Sequence, residues 1–207
     1  MAGIGHNNGP RLRQGRGWHA HCWKQARKDL LGKTLPIEVV RTRVRRAKEL
    51  GLAYPQYASI LLGSGRDIVG FLFTVDGLHL RLQKQLSMPE PVQEKLQGLK
   101  GADLFAFAPS GESPDMFRAE LTEQTGLTFK SSAPEPERVL NWPEARRAVR
   151  AVLDPIKVPS GAVVLIGTRE VERDLAMAGK LARFIPSDSY FEQGSHFEQS
   201  GANTGWT

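Results

Sequence analysis

Three short apolar runs frame this chain: 68–75 (IVGFLFTV), 104–108 (LFAFA) and 162–166 (AVVLI). Each is nearly continuous and is bounded by chain-breaking residues. Gly63-Ser64-Gly65 and Asp76-Gly77 bracket the first, Pro109-Ser110-Gly111 follows the second, and Gly167 follows the third. Such runs read as strands buried on both faces. Helical patterns lie between them, over about 77–86, 90–99, 114–125 and 143–153, and another covers about 169–184. Strands alternating with helices predict an α/β fold: a small parallel sheet of at least three strands, flanking helices and right-handed crossovers. The acidic, proline-containing stretch 131–143 (SSAPEPERVLNWP) reads as a surface connection.

Two helices are predicted ahead of the sheet. In the first, about 18–31, Trp23, Ala26 and Leu30 share a face and Gly32 is a stop. The second runs over 36–50, with Pro36 in its first turn, Glu38 at its positive end and Gly51 closing it. Ile37, Val40, Val44 and Ala47 make its expected buried stripe, while Arg41, Arg45 and Lys48 line up elsewhere. The resulting organisation is a disordered basic leader (1–17), a basic helix pair packed on the main domain (18–52), the α/β domain (53–191) and a disordered tail (192–207). Both ends are too rich in Gly and polar residues to offset the cost of ordering their backbone.

The composition narrows the class. The chain has 207 residues, 40% of them apolar, enough for one core. Cys22 is its one cysteine, so no intrachain disulfide forms, which suits a reducing compartment. No run approaches the ~20 apolar residues of a membrane span, and the first residues lack the apolar stretch of a secretory signal. A bacterial-type, soluble, cytoplasmic protein is expected.

Charge changes the picture most. Residues 1–52 hold twelve Lys and Arg against Asp29, Glu38 and Glu49, while the remainder is mildly acidic. Five cations fall within 41–48: Arg41, Arg43, Arg45, Arg46 and Lys48. Like charges so crowded repel unless a polyanion lies nearby, so nucleic acid is the expected partner, held mostly through phosphates. Arg41, Arg45 and Lys48 are the principal candidates, with Arg43, Arg46, Arg13, Arg16, Lys24 and Arg27 in support. An acidic protein is the alternative partner. Ala47-x-x-x-Gly51, followed by Tyr57 and Ile60, has the spacing of a helix-turn-helix unit, although the second helix it allows is short.

A different expectation attaches to the strand ends, where parallel sheets bind ligands. Thr74, Asp76, Ser110, Thr168 and Arg169 fall there, and make a candidate site for a phosphate- or nucleotide-type ligand. The segment FLFTVDGL (71–78) resembles the first motif of haloacid-dehalogenase-type phosphatases, a strand ending in Asp-x-Asp-Gly. Ser110 resembles that family's second-motif hydroxyl, and VVLIGT (163–168) with Asp174 its last motif. The resemblance implies a phosphoryl-transfer fold, but Thr74 stands where the nucleophilic aspartate belongs and Thr168 where a metal-binding aspartate does. Threonine at 74 cannot form an aspartyl phosphate. No catalytic residue, cofactor or metal site is therefore expected, and whether the chain is an enzyme stays open. His19 and His21 fall on opposite sides of a helix and cannot share one ion, while His19 and Cys22, three residues apart, could but would still need two more ligands.

Overall fold

The computed structural model describes residues 35–82, 86–136 and 141–192. The leader, the helix expected over 18–31, and with them Arg13, Arg16, Lys24 and Arg27, lie outside these residues, as does almost all of the tail. The chain divides into two compact units, 1–41 and 42–207. Helix α1 (Ile37–Glu49) begins in the first and ends in the second.

The described part of the first unit is short. Leu35, Ile37 and Val39 are exposed there, and Glu38 accepts a hydrogen bond from Arg41 at 2.8 Å across one helical turn. Ile37 therefore does not belong to a buried stripe, and Val40 and Val44 are half-buried. Ala47 is the buried residue of α1.

The second unit is an α/β fold with a parallel sheet of five strands. Helix α2 (Tyr54–Ser64) follows the left-handed Gly51, then come β1 (Gly70–Phe73), the small hairpin β2 (Arg81–Leu82) and β3 (Leu86–Ser87), and α3 (Glu90–Gln97). Strand β4 (Asp103–Ala108), α4 (Pro114–Thr125), β5 (Phe129–Pro134), α5 (Trp142–Leu153), β6 (Val163–Gly167), α6 (Glu170–Ala178), β7 (Arg183–Pro186) and α7 (Ser187–Glu192) complete it. The sheet order is β5-β4-β1-β6-β7, every pair parallel. Among the described residues no helix is long and apolar enough to cross a membrane.

Alternation along each central strand feeds two cores. Phe71, Phe73, Leu104, Ala106, Val164 and Ile166 face one side, with Leu50 from the turn after α1 and Ile60, Leu96, Phe117 and Tyr190 from the helices. Leu72, Phe105, Phe107, Val163 and Leu165 face the other, against Val149, Val152 and Leu175 of α5 and α6. Burial on both sides is why these strands read as unbroken apolar runs.

Three expectations need correction. Residues 77–86 are not a helix: Asp76–Leu78 form one 3-10 turn, His79 is left-handed, and the hairpin follows. Part of the supposed surface connection is β5, an edge strand whose alternating burial let Lys130 and Pro134 stay outside. Helix α6 stops at Ala178 because Lys180 turns left-handed, and β7 takes the next segment.

Lys95 of α3 gives this unit a pH signature. Its ammonium group donates to the Tyr190 carbonyl and lies 4.3 Å from the centre of the Tyr190 ring. Burial pulls its pKa from 10.5 down to about 8. Burial, reinforced by a hydrogen bond to Asp67, pushes Tyr57 from 10.0 up to about 12. Between roughly pH 8 and 10 the unfolded Lys95 keeps its proton longer than the folded one, so stability rises with pH. Above about pH 10 the folded Tyr57 keeps its proton longer than the unfolded one, so stability falls again as the pH approaches 12. Urea unfolding from pH 7 to 11 should show this maximum, and Lys95→Met should remove its rising limb.

Candidate functional site

The strand order reverses direction between β1 and β6, and a doubly wound sheet opens its ligand crevice at such a point. Thr74 directly follows β1 and is fully buried. Its backbone N–H donates to the Ile166 carbonyl at 3.2 Å, and its hydroxyl accepts from the Gly77 N–H at 3.0 Å. Gly77 is required here, because a Cβ would collide with the Ile166 carbonyl oxygen. The Thr74 hydroxyl thus closes a tight turn.

Arg169 caps the end of β6 and gathers three carboxylates. Its guanidinium lies 2.6 Å from Glu135, 3.0 Å from Glu172 and 3.4 Å from Asp76. Glu172, in the first turn of α6, is 3% exposed and also accepts from the Arg169 N–H at 2.9 Å. A carboxylate there is favoured by the positive end of the helix. It occupies the space above Gly167 that any side chain at that position would need. Glu135 follows β5 and accepts from the Val75 N–H at 3.1 Å. The network ties together the ends of β1, β5 and β6.

Electrostatics follow from this arrangement. Burial raises the Glu135 pKa, and the neighbouring Glu172 and Asp76 add to the rise. The Val75 N–H and Arg169 oppose it. For Arg169, burial lowers the pKa but the three carboxylates outweigh it, so the guanidinium is held charged. Three acids around one cation leave surplus negative charge, which repels a phosphate. Among the predicted residues, Thr74, Asp76 and Arg169 are brought together. Ser110 and Thr168 are exposed at the ends of β4 and β6, and Asp174 is exposed on α6. Among the described residues no group of three or more His, Cys, Asp or Glu could hold a metal ion.

Glu135 and Glu172 are not among the residues expected from the sequence. Glu135 lay within a stretch read as a loop. Glu172 had a detectable sign: an acid three residues into a helix, placed to reach back to the residue that caps it.

The basic helix divides by role. Arg46 is spent inside the fold: it binds Asp67 at 2.9 Å and Glu49 at 3.3 Å, and donates to the carbonyls of Ile68, Lys100 and Gly101. Arg41 has Glu38. Arg43 and Arg45 have no carboxylate within ion-pairing distance among the described residues. Arg45 is exposed and Arg43 half-buried near Tyr57, while Lys48 is exposed. On α2, Tyr57 and Ile60 are buried, and its exposed face offers Pro55, Ser59 and Leu62, with Ser59 accepting from Arg183. Of these three side chains Ser59 alone is polar, and its hydroxyl is already engaged by Arg183, so the face offers little for reading bases. No family model matches the chain, and neither curated proteins nor solved structures are significantly similar to it.

Proposed function

We propose that the protein binds nucleic acid through the cations of α1, by contacts to phosphates that are largely independent of sequence. The observation that carries this is the pair Arg43 and Arg45, which stand near the surface without carboxylate partners among the described residues. Lys48 lies one turn beyond Arg45 on the same helix. The short, apolar outer face of α2 favours backbone contacts over base readout. The strand ends favour a structural part for Arg169, since its charge is met by three acids.

The test is titration of labelled duplex DNA and RNA at several salt concentrations. Affinity should fall steeply with salt, and Arg43→Glu/Arg45→Glu/Lys48→Glu should lower it by roughly 100-fold at about 0.1 M salt. Arg41→Glu is measured separately, because Glu38 already neutralises Arg41. Arg46→Ala is the control: it should lower stability, with the remaining folded protein binding as before. Unchanged affinity in the triple variant would end the proposal.

A further inference from the structure

The strongest unassigned feature is a groove of about 420 Å³ between α5 and the end of α6. Its walls include Trp142, Arg146, Arg147, Arg150, Met177 and Lys180. The sequence of α5 builds it. Ala145, Val149, Val152 and Leu153 bury one face against the sheet. Trp142, Arg146 and Arg150 recur every four residues and so stack along another face. Asn141 caps the helix by accepting from the Glu144 N–H at 3.0 Å, and Pro143 fixes its first turn.

Two observations point to an occupant. Trp142 is 63% exposed and Met177 57%, so a large aromatic and a flexible apolar side chain meet water at the same place. The four cations are exposed, and none has an ion-pair partner among the described residues. A second hollow of about 200 Å³ shares Arg146, Arg150 and Lys180 and runs on to Ser160, with Asp154 as its acid. Glu144 is the acid within α5 itself. Arginines beside an open tryptophan make the combination that single-stranded nucleic acids use: phosphates lie on the guanidinium groups while bases stack on the ring. The volume is within the ~300–1,000 Å³ of small-ligand pockets, enough for a base and its sugar.

We infer that this groove is a binding site for single-stranded nucleic acid, with Trp142 as the stacking platform and Arg146, Arg147, Arg150 and Lys180 holding the backbone. It stands on residues separate from α1, so either site can fail without the other.

The test uses the full chain and labelled oligothymidylate and oligouridylate of about 20 nucleotides, beside a duplex of equal length. Trp142→Ala should weaken single-strand binding about tenfold and leave duplex binding unchanged, whereas Trp142→Phe should retain most of it. Arg146→Glu/Arg150→Glu should weaken it at least about tenfold, with circular dichroism showing an unaltered fold. Tryptophan emission should be quenched on binding, and that part of the quenching should vanish in Trp142→Phe. Arg43→Glu/Arg45→Glu should leave the groove's share of binding in place. The inference is overturned if the wild-type chain does not bind single strands, or if these groove variants bind them as the wild type does. It is also overturned if polyglutamate displaces the oligonucleotide while Trp142→Ala has no effect, which would mark an acidic polypeptide as the partner.

Discussion

Replacing Arg169 with methionine will destabilise the protein by about 3–5 kcal/mol at neutral pH, the usual cost of stranding buried charges. The variant leaves Glu172, at 3% exposure, and Glu135, at 12%, without their cation, and strips Asp76 of the same partner. The penalty should shrink on acidification. Glu135 already has a raised pKa in the folded state, so its neutral form favours folding as the pH falls, and losing Arg169 extends that behaviour. Urea unfolding at pH 7 and pH 5 reads both effects. Glu172→Gln, which keeps the shape and leaves Arg169 two acids, should cost only about 1 kcal/mol. If Arg169→Met loses under about 1 kcal/mol at both pH values, the network is an exposed ornament of the surface kind.

The second large effect lies on the opposite face of the sheet. Tyr190 is fully buried, its ring centroid 5.3 Å from that of Phe71 and 5.1 Å from that of Phe191. Its hydroxyl donates to the Leu50 carbonyl at 3.2 Å, and its own carbonyl accepts from Lys95. One residue in the last described helix thus binds α3, β1 and the segment between α1 and α2. Tyr190→Ala should cost about 4 kcal/mol by removing the ring and leaving a cavity. Tyr190→Phe should cost about 1–2 kcal/mol, because the ring stays but the Leu50 carbonyl loses its donor. Burial also holds the Tyr190 pKa above its ordinary value. Thermal melts of the two variants separate packing from hydrogen bonding.

The fold was legible where a strand is covered on both faces. In β1, β4 and β6 every position but Asp103, at the start of β4, is buried and carries no polar side chain, and that leaves an unmistakable run. The edge strands β5 and β7 have one open side, so FKSSAP and RFIP carry polar residues and proline and resemble loops or helix ends. The hairpin leaves no sequence pattern, because each of its strands has two residues, too few for any period to develop. At the strand ends, Asp76 and Arg169 could be named from their positions, and the structure joins them at 3.4 Å. Glu135 could not be named, because it reaches the same point from a segment remote in sequence, whereas Glu172 lies only three residues beyond Arg169, at the capping-box position. The cations of α5 were hidden by arithmetic: they sit in a region whose overall charge is slightly negative, so only their shared helical face reveals them.

Closure of the sheet's crevice by Arg169 and its acids also limits what the chain can become. An aspartate at position 74 would enter a spot beside Gly167 already crowded by the Glu172 carboxylate, with Asp76 two residues away. A fourth anion in that company would draw a proton and lose its nucleophilicity. Exchange of Thr74 alone is therefore not expected to install phosphoryl-transfer chemistry on this scaffold: Glu172 would have to change with it, leaving Arg169 to Glu135 and Asp76.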